Sequence, residues 1–262
     1  MAYTLVMPSV YCDITSIKLN GEDFLLVGAL LVSCKKDIQQ DLWQVRVNKK
    51  FYEELHFSDI SINDNIRTKI IKDFIDVFIK SESRFRCLLI KNDKNTLRKY
   101  YFGENWKKLA VIIRTLLSYP YFNRDSIIFT TLSRPRIFID NENFSCENEK
   151  KFKIYFKKTF KTPIILNKKD IHIKDIPEPI IDFIDSKLLD QLQLVDILLG
   201  CIRNSYQYNN SCKNKCKQEI SDHLLDEINK ISSENFIDFK KIDRRRIKKG
   251  LINVWEFQNN KK

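Results

Sequence analysis

Glycine, proline and histidine are scarce in this chain, at 5, 6 and 3 among 262 residues. The glycines do not cluster, which removes the Gly-rich phosphate loops of nucleotide-binding folds. His56, His172 and His223 are the whole supply of imidazole, and none lies in a recognisable triad motif, so Ser or Cys nucleophile chemistry finds little support. No stretch approaches the roughly 18 uninterrupted apolar residues of a membrane span. Met1 to Val10 lacks the charged start and small-residue cleavage site of a secretion signal. These absences imply a soluble, cytoplasmic protein with no membrane partner. The 7 cysteines are odd in number and sit mostly in apolar segments (Cys12, Cys34, Cys87, Cys201), the pattern of reduced packing thiols rather than of a disulfide framework. Cys212 and Cys216 form a CxxxC with only His223 nearby, too few ligands for a zinc site.

Apolar residues make up 43% of the chain, ample for one packed α/β domain. The net charge of +12 is concentrated at Lys150 to Lys161, Lys213 to Lys217 and Lys240 to Lys249. Such clusters suit a polyanion through counterion release, and nucleic acid, DNA or RNA, is the expected partner. An AT-biased genome would also raise the lysine content with no functional cause.

Thr4 to Asp13 alternates and ends on a carboxylate, and Asn20-Gly21 then leads to the apolar run Phe24 to Ser33, predicting a β-hairpin. Asp41 to Leu55 shows no clear period. Helices are expected over Ile66 to Ser81, over Thr96 to Ser118 and, basic and amphipathic, over Lys151 to Lys161. Arg84 to Asn92, Arg136 to Asp140 and Ile180 to Ile184 read as strands, with a further strand region in Thr162 to Ile173 and loop over Asn141 to Lys151. Past Arg203 the chain turns polar, with a helix near Gln218 to Ile231 and a basic tail. Residues 1–205 form the expected domain and 206–262 a basic helical extension packed on it.

Ile180 to Ile202 is the most informative segment. Leu188, Leu189, Leu192, Leu194, Val195, Ile197, Leu198, Leu199 and Ile202 cover nearly the whole helix, yet Asp196 lies among them. An unpaired buried carboxylate costs several kcal/mol, roughly 2–7 or more, so Asp196 needs an Arg, a backbone amide, a metal or a polar cleft. Acids that close adjacent strands of an α/β sheet converge at one edge, and Asp13 and Asp140 obey that rule. With Asp196 they would make three carboxylates tolerable together only if they share protons or hold cations. Two Mg²⁺ or Mn²⁺ ions about 4 Å apart would activate a water and stabilise the leaving oxygen of a phosphodiester. Glu54 is the best fourth acid, with Glu53 and Asp59 as substitutes.

Three segments, Tyr11-Cys12-Asp13, Glu54-Leu55-His56, and Asp185-Ser186-Lys187 leading into Gln191-Leu-Gln-Leu-Val-Asp196-Ile-Leu-Leu-Gly200, together resemble the bacterial family catalogued as domain of unknown function 3800. The resemblance covers roughly residues 5–205, and its last motif is the specific one. It implies a ribonuclease H-like fold: a mixed five-stranded sheet flanked by helices, with acids on the first strand, the fourth strand and the final helix. Asp13, Asp140 and Asp196 match those places and Glu54 the further acid, all four as metal ligands of a nuclease. His56, Asp185 and Lys187 are implied as substrate contacts or supports. Where the family has Glu-Ser after its first Asp, this chain has Ile14-Thr15. The alternative function is therefore a binding module that keeps the fold without turnover, beside a protein partner in a larger complex or in a bacterial defence or mobile-element system.

Overall fold

Asn20 and Gly21 adopt φ of 53° and 80°, the left-handed pair that a two-residue hairpin turn requires. In the computed structural model that turn joins β1 (Ser9–Leu19) to β2 (Glu22–Val32) in register, with Asp13 opposite Gly28. The structure describes residues 9–32, 38–97, 103–118, 136–142, 144–160, 164–166, 169–171, 178–208, 213–231 and 252–256. The expected strand start at Thr4, together with Cys34, Pro120 as the expected stop of the Thr96 to Ser118 helix, His172, Cys212 and the cluster Lys240 to Lys249, lies outside them.

One difference here bears on the site. The expectation that the first strand ends on Asp13 is wrong: β1 runs on to Leu19 because β2 pairs with it along its whole length. What ends beside Asp13 is the pairing on the other side. β4 (Arg136–Asp140) runs parallel to β1 only as far as Cys12 opposite Ile139, so Asp13 and Asp140 stand together where that ladder stops.

The helices follow their caps. α1 (Ile38–Lys49) occupies the stretch that showed no period, because its buried stripe, Ile38, Leu42 and Arg46, contains an arginine. In α2 (Asn65–Lys80) the Asp64 side chain accepts from the Arg67 amide at the start. β3 (Arg84–Lys91) pairs antiparallel with β2. The single helix expected over Thr96 to Ser118 is two, α3 (Lys94–Leu97) and α4 (Asn105–Ser118), with Gly103 and Glu104 outside both. α5 (Cys146–Phe160) starts earlier than expected, since the Ser145 hydroxyl accepts from the Asn148 amide and Glu147 and Glu149 favour the first turn.

β5 (Ile164–Leu166) and β6 (Lys169–Ile171) form a separate antiparallel ribbon. β7 (Ile180–Ile184) pairs parallel with β4 and leads through a 3₁₀ turn, Ser186–Leu188, into α6 (Asp190–Tyr208). α7 (Lys215–Ile231) begins within the Lys-rich segment, where Asn214 accepts from the Lys217 amide. The extension is not wholly helical: β8 (Ile252–Glu256) adds to the edge of β3 in parallel.

The main sheet is mixed, in the order β7-β4-β1-β2-β3-β8. Five of the six expected strand regions are in it, the Thr162 to Ile173 region forming the separate ribbon instead, and β8 makes the sixth strand. Alternation along β1 sends Tyr11 and Ile17 to one face, covered by α1, α2, α6 and α7, and Val10 and Cys12 to the other, covered by α4 and α5. Asp13 shares its parity with Tyr11, and Asp140 with Phe138, so both carboxylates belong to the α6 face. α6 lies across β1 and β2 and continues through residue 205 to Tyr208. No helix among the described residues is long and apolar enough to cross a membrane.

Candidate functional site

α6 is positioned by its apolar circumference. Leu194, Val195, Ile197, Leu198 and Leu199 are all fully buried, each side chain worth about 1.5–3 kcal/mol. That burial fixes the helix rotation and leaves Asp196, about a quarter exposed, at the mouth of the sheet edge. Its Oδ2 accepts from the Phe57 backbone N–H at 2.8 Å. The backbone-amide partner foreseen for an apolar-helix Asp is thus present.

The amide belongs to the loop between α1 and α2, which carries Glu54 and His56. Neither lies on a helix. His56 bridges two acids: Nε2 lies 2.8 Å from Glu54 Oε1, and Nδ1 lies 3.7 Å from Asp196 Oδ2. The Asp196 carboxylate is the main cause that pushes the imidazole up to about 9; burial opposes it, and the charges of Glu54 and Asp59 add to it. His56 is therefore a cation at neutral pH.

Glu54 has two further partners from the turn after β7. The buried Ser186 hydroxyl donates to its Oε1 at 2.8 Å, and Lys187 Nζ lies 3.8 Å from its Oε2. Asp185 caps that turn by accepting from the Lys187 amide. Glu53 points elsewhere, to Arg67 at 2.8 Å, and Asp59 accepts from Ser58, so Glu54 is the acid of its cluster that joins the site.

Asp13 is the most crowded carboxylate. Its Oδ1 accepts from the adjacent Ile14 amide at 2.6 Å, its one described partner. Burial chiefly, then the charge of Asp196 and those of Asp140 and Glu142, hold it well above the usual carboxylate range against that amide. Asp140 is raised as well, by burial and then by Glu142 and Asp185, while the Glu142 amide and His56 oppose the rise. The structure thus gathers Asp13, Asp140, Asp196, Glu54, His56, Asp185 and Lys187 at one sheet edge.

Hard oxygen donors with unshared lone pairs suit Mg²⁺ or Mn²⁺. Asp13 Oδ2, Asp140 Oδ2 and Asp196 Oδ1 have no hydrogen-bond donor among the described residues. No three of the expected ligands lie within 4.8 Å of one another, so a shared ion would require them to draw closer. Among the described residues one other group meets that distance: Asp76 on α2 with His223 and Glu227 on α7. His223 is hydrogen-bonded to Asp76 at 2.8 Å, and Glu227 is paired with Lys230. Cys216 turns away from His223, its thiol donating to the Ile62 carbonyl.

The network that shapes the site escaped the sequence reading. Gln193 Oε1 accepts from Arg46 Nη2 at 2.6 Å and from the Leu55 amide at 2.8 Å, and its Nε2 donates to the Ser186 carbonyl at 2.9 Å. Arg46 also pairs with Asp190 and donates to the Glu53 carbonyl, both part-buried links. Gln193 therefore ties the Glu54–His56 loop to the Ser186 turn. The available signal was two glutamines, Gln191 and Gln193, inside an otherwise apolar helix.

Compared with protein-family models, with curated proteins and with solved structures, the chain matches none.

Proposed function

We propose that the protein is a divalent-metal-dependent nuclease that hydrolyses phosphodiester bonds of DNA or RNA. The observation that carries this reading is Asp13: a part-buried carboxylate beside Asp196 and Asp140, whose mutual repulsion calls for cations. The sheet order also supports a resemblance to the ribonuclease H-like fold, with acids on β1, on the fourth strand and on the long helix α6.

Asp13, Asp140 and Asp196 would hold the ions. Bound there, they would supply an activated water and charge stabilisation at the leaving oxygen. Glu54 is oriented by Ser186 and His56 toward this group, and cationic His56 can donate to a phosphate oxygen or to the leaving group. Lys187, two-thirds exposed, adds positive charge at the rim.

A binding module without turnover is the second reading. It is favoured by the absence of a ready-made ligand triple among these acids and by the engagement of Glu54 with His56, Ser186 and Lys187. The test is calorimetric titration of Mn²⁺ into the protein and into its Asp13→Asn/Asp196→Asn variant, paired with cleavage of labelled single- and double-stranded DNA and RNA. Metal binding and cleavage, both lost in the variant, are expected. Polymer binding with neither metal uptake nor cleavage would replace the nuclease with the binding module.

A further inference from the structure

Asp13 and Asp140 also line a cleft of about 410 Å³, together with other residues of the sheet edge and with Asn105, Lys108 and Leu109 of α4. β1 outruns β4 here: past Cys12, Ile14 and Ser16 have no strand among the described residues beside them on that side. Asn92, Asn105 and Lys108 add polar groups to its lining, and Leu109 and Phe144 add apolar ones.

Lys108 is the unusual member. Its ammonium donates to Asn92 Oδ1 at 3.4 Å, and no carboxylate among the described residues pairs with it. Lys18, Lys49, Lys72, Lys91, Lys151 and Lys230 all find acids, whereas the half-buried Lys108 has none among the described residues and is left to an anion that enters the cleft. Burial alone holds it below the usual lysine range.

We propose that this cleft receives one unpaired nucleotide of a single-stranded nucleic acid, with Lys108 binding the phosphate next to the one presented to Asp13 and Asp140. The proposal rests on the nuclease reading and gives it a substrate class. The volume lies near the lower end of small-ligand pockets, about 300–1,000 Å³, and accommodates a nucleotide unit but not a duplex. A base that enters must leave its stack, and single strands present it without that cost. Leu109 and Phe144 offer the base an apolar surface, while the carboxamides of Asn92 and Asn105 both donate and accept toward a base edge or sugar.

The test measures binding of a short labelled single strand, a blunt hairpin of the same sequence and a 5′-mononucleotide to the full-length Asp196→Asn chain, which is not expected to cleave them. Lys108→Met and Lys108→Glu are compared with Lys80→Glu, a charge change of the same size at the exposed end of α2, on the opposite face of the sheet. A charge-assisted bond to phosphate predicts a loss of single-strand affinity of about tenfold or more for both Lys108 variants and little change for Lys80→Glu. Unchanged affinity in Lys108→Glu, hairpin binding as tight as single-strand binding, or mononucleotide binding as tight as the polymer would each overturn the cleft and leave the nuclease reading standing. Single-strand binding that depends on Lys108 in a wild-type protein without cleavage would overturn the nuclease instead. Absence of all polymer binding would overturn both.

Discussion

At the residue scale, Asp13 sits where ionisation is disfavoured, and the sign of its effect on stability follows. Its folded pKa lies above the unfolded value, so its contribution is complete below the unfolded pKa and is lost as pH rises; at neutral pH the ionised group is a cost. Asp13→Asn is expected to raise the melting temperature of the metal-free protein, by about 2–4 °C for each kcal/mol relieved, and to abolish the further rise that Mn²⁺ produces in the wild type. Differential scanning calorimetry with chelator and with Mn²⁺ checks both; a lower melting temperature in chelator would contradict the crowding. His56 has the opposite role. Its pKa is raised from 6.5 to about 9 by partner acids, so its stabilisation is present in full below 6.5 and declines between 6.5 and 9. A titration of the metal-free protein by NMR should place His56 near 9, and His56→Gln should flatten stability against pH across that window.

At the element scale, α6 meets the Glu54–His56 loop through Gln193, Asp196 and Gly200. A Cβ on Gly200 would stand 2.2 Å from Phe57 Cγ, so the loop lies on the helix only because residue 200 has no side chain. Gly200→Ala should cost about 1–3 kcal/mol by overpacking, despite the better helix propensity of alanine, and should move the loop off Asp196. Urea denaturation measures the cost, and a His56 pKa returning toward 6.5 reports the displacement. Gln193→Ala removes three buried hydrogen bonds and strands the Leu55 amide, an expected loss of about 2–4 kcal/mol by the same assay. Gln193→Glu keeps both acceptor bonds and should lose less.

At the scale of the whole molecule, the chain beyond α6 helps to hold the site. Asn214 donates to the Ile60 carbonyl, Cys216 to the Ile62 carbonyl and Lys217 to the Ser58 carbonyl, so the start of α7 grips the loop that carries His56. The excess positive charge acts at this scale too. Affinity for single-stranded nucleic acid should fall linearly with salt on logarithmic axes, with a slope near −0.7 for each phosphate contacted. Lys108→Met should flatten that slope by about 0.7, whereas a basic surface without a defined contact would leave it unchanged.

The sequence by itself determined the elements whose local rules agree: the hairpin at Asn20-Gly21, the capped α2, and α6 as a buried helix in which Asp196 needed a partner. It also marked Asp13 and Asp140 as acids at strand positions, since alternation and run length are local properties. It missed α1, because a buried arginine interrupts the apolar stripe, and β8, because five residues beside a basic tail carry little periodicity. Only the tertiary structure decided which acid of the Glu53, Glu54, Asp59 cluster joins the site, that the β1–β4 ladder stops one residue short of Asp13, and that Lys108 lines the resulting cleft. Those facts depend on strand register and helix rotation, which are set by packing between residues more than a hundred positions apart and leave no pattern along the chain.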